Sequence, residues 1–323
     1  MGIADLRELA VTSPIDVAEL GGTTGAVDAF NWLYRYMTIT VRYTDPEEYT
    51  TREGTEVPNL IGITRGLPRF FESRFFPVFV FDGTPTSLKQ KELVERRARR
   101  QEAAAQAEAA RKRGEMRDAA QYQARAQRIT RPIRRTTEEL LELLDLPFFE
   151  APSEAEAQAA HMARTDHVDY AVTDDYDVLV YGAPRTIREF TSEGPPECMD
   201  LEATLDKHEI TWEQLVDVAI LCGTDYNEGI RGIGPTGALA EIKQHGDLET
   251  VLARLDETIE NADRIRDLFL HPGVTDEYEF EPTCTPDLCA ARSFLVDEWE
   301  IPESAISRAF ERLEANRDVW ASR

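Results

Sequence analysis

Seven carboxylates stand where folding would gather strand ends and helix starts: Asp28, Asp82, Glu154, Glu156, Asp175, Asp177 and Asp225. Asp28 closes the apolar run 23–27, Asp82 closes Pro77-Val78-Phe79-Val80-Phe81, and Asp175 and Asp177 follow the run 168–172. Glu154 and Glu156 begin an Ala-rich stretch, and Asp225 ends Leu221-Cys222-Gly223-Thr224-Asp225. Each alone has an ordinary explanation: Asp82-Gly83 is a common turn, and Ser153-x-x-Glu156 fits a helix capping box. Together they mean more, because open α/β sheets bind ligands outside the carboxyl ends of their strands. Like charges converging there force protonation unless cations neutralise them. No His or Cys cluster accompanies the acids, so the expected occupant is a hard, oxygen-seeking Mg²⁺ or Mn²⁺ rather than zinc. Two such ions about 4 Å apart can ionise a water and stabilise the leaving oxygen of a phosphodiester displacement. That is nuclease chemistry.

The elements that must position these acids follow from periodicity. Residues 23–27 read as a strand leading through Asp28 into a helix over 29–43. Residues 44–58 read as a loop, 60–76 as an apolar segment kinked or broken at Pro68, and 77–81 as a short buried strand. From 88 to 129 the chain is rich in Ala, Glu, Gln and Arg, with Gly114 as the strong breaker, which predicts long helices. Their low apolar content says that they project from the body. A helix over 136–145, a helix over 154–164 and strands at 168–172 and 186–190 follow. The alternation predicts an α/β fold: a mostly parallel central sheet with helices on both faces. Beyond Thr211 the pattern is helical, interrupted by a Gly-rich turn from Gly229 to Gly234.

Composition narrows the partners. No run approaches eighteen apolar residues and no basic-then-apolar start is present, so neither a membrane helix nor a signal peptide is expected and the protein is placed inside the cell. Met1-Gly2 does not read as a lipidation start, since Leu6 stands where Ser or Thr is required. Cys198, Cys222, Cys284 and Cys289 lack paired metal-ligand spacing. The net charge of −25 argues against nucleic acid until its distribution is considered. Residues 89–135 hold fifteen Lys/Arg against six Asp/Glu, a local +9, which leaves −34 on the rest. Only five of the 36 basic residues are lysine, and so acidic a chain tolerates its self-repulsion best in molar salt, which points to a halophile.

Five motifs then carry a family resemblance. Val27-Asp28-Ala29, Val78-Phe79-Val80-Phe81-Asp82-Gly83, Ala151-Pro152-Ser153-Glu154-Ala155-Glu156-Ala157-Gln158, Asp175-Tyr176-Asp177 and the run from Gly223-Thr224-Asp225-Tyr226 to Ile233-Gly234-Pro235 resemble archaeal and eukaryotic flap endonucleases, in the same order and at similar spacing. The resemblance implies a PIN-like nuclease core formed by 1–88 and 136–221, a basic helical arch at 89–135, and a helix–turn–helix duplex-binding region with C-terminal helices at 222–323. It implies a monomeric, structure-specific 5′ nuclease of replication and repair, working on flaps, nicks and gaps in the cytoplasm at the nucleoid of a halophilic archaeon. It further implies two Mg²⁺, with Mn²⁺ as substitute: Asp28, Asp82, Glu154 and Glu156 serve one, and Asp175, Asp177 and Asp225 the other, some through water.

Lys89 and Arg96 match the family's catalytic basic pair; seven residues apart on a helix, they share a face about 10.5 Å apart. Tyr34 matches the aromatic on which a base stacks, an interaction worth about 1–3 kcal/mol. Gly229, Ile230, Gly232, Ile233 and Gly234 match the turn that grips a duplex backbone, where carbonyls of Gly229, Ile230 and Ile233 with Asp225 would hold K⁺. Two departures stand out. Thr236-Gly237 replace the usual basic residues, and the stretch from Asn316 to Arg323 lacks the motif that docks on the sliding clamp, which puts clamp recruitment in doubt. Competing readings are a bubble- or gap-preferring repair nuclease, a non-catalytic DNA junction-binding protein and an RNA-cleaving toxin-type nuclease.

Overall fold

The alternating apolar runs assemble into one seven-stranded sheet in the computed structural model, which describes residues 4–190 and 194–321. Met1, Gly2, Ser322 and Arg323 lie outside the described residues. The strands are β1 (Val11–Pro14), β2 (Thr24–Asp28), β3 (Phe76–Phe81), β4 (Phe148–Glu150), β5 (Tyr170–Val172), β6 (Arg185–Arg188) and β7 (Glu197–Asp200), in the order β1-β7-β6-β5-β2-β3-β4. From β6 to β4 every pairing is parallel, while β7 runs antiparallel to both its neighbours. The predicted mostly parallel sheet is therefore present. The sequence pattern did not signal β1, β4 or β7, because they are three- or four-residue strands, only partly buried, with no clean alternation to read.

The chain moves from β2 outward to β3 and β4, then returns to β5 on the other side of β2. Right-handed crossovers in opposite directions put the intervening helices on opposite faces of the sheet. The same reversal opens a crevice between the carboxyl ends of β2 and β5, the usual ligand position in such sheets. The centre is apolar on both faces: every residue of β3, Phe-Pro-Val-Phe-Val-Phe, is buried. The helix Ala29–Tyr43 buries Trp32, Leu33, Tyr36, Met37, Thr40 and Val41, a stripe at three- and four-residue spacing.

The basic segment folds as two antiparallel helices, Gln90–Arg113 and Met116–Ala126, joined through Gly114 in the left-handed conformation at φ 79°. The structure corrects the expectation of a freely projecting pair. Ala103, Ala107 and Ala110 on one helix and Ala119 and Ala124 on the other are buried, and the second helix lies along Ala29–Tyr43. Small side chains let the two helix backbones approach closely, and the second helix carries the pair against Ala29–Tyr43. Further on, the helices Trp212–Cys222 and Pro235–His245 flank the Gly-rich turn. The helix Ala262–Leu270 packs on the first of these, with Arg266 Nε 2.6 Å from Asp217 Oδ1.

Candidate active site

Asp28 ends β2 and caps the helix that follows, its Oδ1 accepting a hydrogen bond from the Asn31 amide at 3.0 Å. Asp82 follows β3 directly and reaches sideways: its Oδ1 accepts from the Ala155 amide at 2.8 Å. This carboxylate sits at a helix N-terminus, where the dipole favours it, and it pins the first turn of the helix Ala155–Arg164 beside the sheet. That turn carries Glu156, and Glu154 is its N-cap residue. The capping box does not form. Glu154 makes no side-chain cap bond, and Ser153 Oγ is buried without a hydrogen-bond partner.

Gly83 shows why Asp82-Gly83 is more than a turn. Its amide donates to Ser153 O at 2.7 Å, and a Cβ there would fall 1.9 Å from Ala151 O. Any side chain would push the Glu154 loop away from the end of β3. Asp175 follows β5 and accepts from the Asp177 amide at 3.3 Å; Asp177 starts the short helix Asp177–Val180 and is buried. Asp225 comes from the turn after Trp212–Cys222.

A cleft of about 740 Å³ collects Asp28, Asp82, Glu154, Glu156, Asp175 and Asp225, together with Lys89, Arg96 and Tyr34. Asp177 is not on its wall but lies close behind, where its charge reaches Glu156. The turn residues Gly229, Ile230, Gly232, Ile233 and Gly234 do not line the cleft; they lie between the helices Trp212–Cys222 and Pro235–His245, with Gly234 as the N-cap of the second. Lys89 enters from the start of the basic helix Gln90–Arg113, its Nζ 2.7 Å from Glu154 Oε2 and 3.2 Å from Asp225 Oδ2, and Arg96 comes within 3.4 Å of the same Asp225 oxygen.

Sequence reasoning passed over Arg99, Arg100, Gln106 and Arg125, which line the same cleft. For Arg99 and Arg100 the signal was available, since positions 96, 99 and 100 share a helical face. It also missed Asn31, whose Oδ1 accepts from the Asp174 amide at 3.2 Å and so ties β2's helix to the loop bearing Asp175.

The electrostatics test whether these donors suit a cation. Burial, then the charges of Asp82 and Asp175, push the Asp28 carboxyl up to about 8. Burial also raises Asp82 and Glu154, and burial followed by Asp175 and Asp28 carries Glu156 well above the usual carboxylate range. Burial opposes the charge of Lys89, but Glu154 and Glu156 outweigh it and raise the ammonium above its ordinary value. Among the described residues no three His, Cys, Asp or Glu side chains form a ready-made cage. The carboxylates instead face one cleft from separate elements, with Lys89 reaching between two of them. Buried oxygen donors that disfavour one another's charge, without a nitrogen or sulfur ligand on the wall, fit a hard divalent cation.

Comparisons with known proteins agree with this geometry. Residues 1–103 match the XPG N-terminal domain and residues 145–225 the XPG I-region. The chain is 54% identical over 326 residues to a protein called Flap endonuclease 1 from Haloarcula marismortui, covering 99% of this chain and 100% of that one. It is 54% identical over 316 residues to Flap endonuclease 1 from Halobacterium salinarum, covering 98% and 97%. The solved flap endonuclease-1 from Methanococcus jannaschii superposes with a TM-score of 0.76 at 32% identity, over 98% of this chain and 99% of that structure.

Proposed function

The chain belongs to the flap endonuclease family, whose members are metal-dependent DNA nucleases, and we propose that it cuts branched DNA where a single-stranded 5′ flap meets duplex, leaving 5′-phosphate and 3′-hydroxyl ends. The observation that carries this reading is the position of Lys89. A cation from the arch reaches the buried acids at the cleft floor, so a phosphate drawn along the arch arrives at the donors.

Bound Mg²⁺, or Mn²⁺ in its place, supplies an activated water and a stabilised leaving oxygen. We assign Asp28, Asp82, Glu154 and Glu156 to one ion and Asp175, Asp177 and Asp225 to the second. Lys89 and Arg96 neutralise charge growing on the scissile phosphate, an effect strengthened in a site shielded from water. Tyr34, half-buried on the cleft wall, offers a stacking face to the adjacent base. Residues 1–88 and 136–221 form the nuclease region in this reading, 89–135 the arch, and 222–323 the duplex-binding region with the C-terminal helices.

The turn from Gly229 to Gly234 grips a duplex phosphate through its amides. We assign K⁺ to the carbonyls of Gly229, Ile230 and Ile233 with Asp225; Ile230 O already accepts from the Ile233 amide at 3.0 Å and has one lone pair left for an ion. The charge of −34 outside the arch, with 54% identity to proteins of Haloarcula and Halobacterium, supports work at high salt.

The test is cleavage of labelled double-flap, bubble and single-strand substrates with Mg²⁺. Preference for the double flap is expected. Preference for the bubble would favour the repair-nuclease reading, and binding without turnover the non-catalytic one.

A further inference from the structure

Gln158 is fully buried on the helix Ala155–Arg164, one turn beyond Glu154. Its side-chain amide spends both groups on a single residue far along the chain. Nε2 donates to Thr275 O at 2.8 Å, and Thr275 N donates back to Oε1 at 2.9 Å. Thr275 belongs to a segment without regular structure that leaves the helix Ala262–Leu270 and crosses the flank of the nuclease core. Two further side chains fasten it. His161 Nε2 lies 2.7 Å from Asp276 Oδ1, and Tyr278 stacks on Phe149 of β4 with ring centroids 4.8 Å apart and planes 8° from parallel.

The other end of this strap is equally fixed. Phe269, four residues before Gly273, is buried against Tyr226 at 5.5 Å and Tyr181 at 5.0 Å, and Tyr226 adjoins Asp225 at the start of the Gly-rich turn. A short continuous path of packed groups therefore runs from the turn through Phe269 and Thr275 to Gln158, and up one helical turn to Glu154 and Glu156. Packed, hydrogen-bonded segments of this kind shift as units rather than stretch.

We propose that Gln158 is a positioning residue that sets the register of incision: by clamping the strap, it fixes how far the duplex grip sits from the acids, and so which phosphodiester meets them. The inference rests on the functional reading above. A glutamine suits the task because it matches a peptide group donor for acceptor. An apolar residue of equal size would fill the space yet leave the Thr275 amide and carbonyl without partners.

The experiment uses the full chain with Mg²⁺ on an end-labelled 5′-flap substrate, resolving product length to the nucleotide under single-turnover conditions, with circular dichroism to verify folding. The variants are Gln158→Met, which keeps volume but loses both bonds, and Asp276→Ala, which removes an exposed staple and leaves the core intact. For Gln158→Met, cuts should spread to neighbouring phosphodiesters and the rate at the original bond should fall on the order of 10²-fold, as for a misplacement near 1 Å, with substrate affinity almost unchanged. Asp276→Ala should show the same spread to a smaller degree. A folded Gln158→Met that cuts only the original bond at the wild-type rate overturns the proposal; should that variant fail to fold, an unaltered cut pattern in Asp276→Ala does so. A wild-type chain that cuts no flap at all would instead overturn the functional reading itself.

Discussion

Lys89 Nζ donates to Glu154 Oε2 across 2.7 Å, joining the start of the basic helix Gln90–Arg113 to the first turn of the helix Ala155–Arg164, where two of the acids stand. In the proposed reading this cation meets the scissile phosphate, so its value would lie in the transition state rather than in affinity. Replacing Lys89 or Arg96 by Ala should slow single-turnover cleavage on the order of 10²–10³-fold, the usual loss for one preorganised charge-stabilising group. Flap binding, measured by anisotropy, should change far less. Equal losses in both would make the two residues ordinary backbone contacts.

The same carboxylates should make stability depend on pH with an unusual sign. Asp28 rises from 3.8 to about 8 on folding, so the native state holds this proton more tightly than the unfolded chain. Stability from this group is then full below about pH 4 and is lost as pH climbs towards 8. Without divalent metal the melting temperature should fall across that window, and Mg²⁺ should restore it most at the alkaline end, releasing protons as it binds. A melting temperature insensitive to Mg²⁺ at pH 8 would refute the assignment of these acids to metal.

Asp177 tests the second half of the donor set. It is buried behind the cleft wall and bonded through its amide to Asp175. Asp177→Ala should abolish cleavage while leaving flap binding measurable, because phosphate contacts supply the affinity. Turnover within about tenfold of wild type would remove Asp177 from the metal ligands.

Gly229 has φ 70°, and a Cβ there would lie 2.4 Å from the Cys222 carbonyl carbon. Gly229→Ala should therefore distort the turn, costing about 1–3 kcal/mol of local strain. Duplex binding should weaken, while hydrolysis of a short single strand at the acids persists. Unchanged duplex affinity in a folded variant would show that the turn is not the grip.

Salt sets the sharpest conflict. Phosphate contacts lose affinity steeply with salt, by around 10³–10⁵ between 50 and 200 mM for six to ten contacts, yet the −34 outside residues 89–135 needs screening. Activity should peak at high KCl, with helical circular dichroism lost in dilute buffer. Stacking on Tyr34 and binding to metal would then replace part of the ionic affinity. Maximal activity and a stable fold near 50 mM would refute the halophilic reading without touching the nuclease assignment.

What the sequence determined by itself was local. The helix after Asp28 runs over Ala29–Tyr43, as its apolar spacing predicted, and the break at Gly114 falls where a left-handed residue was needed. Both are written within a few neighbouring positions. The acids could be counted for the same reason, since each follows its own apolar run or opens a helix. What only the tertiary structure decided are the relations between distant segments. Asp82 holds the Ala155 amide across 73 positions, Gln158 meets Thr275 across 117, and the helix Met116–Ala126 settles onto Ala29–Tyr43 while alanines that read as solvent-facing are buried in the basic helix pair. The short strands β1, β4 and β7 exist because neighbours complete their hydrogen bonds. The chemistry is decided there too. A carboxylate behaves as Asp28 does only after burial removes water and the fold brings other charges beside it, and neither is a property of any stretch of chain alone.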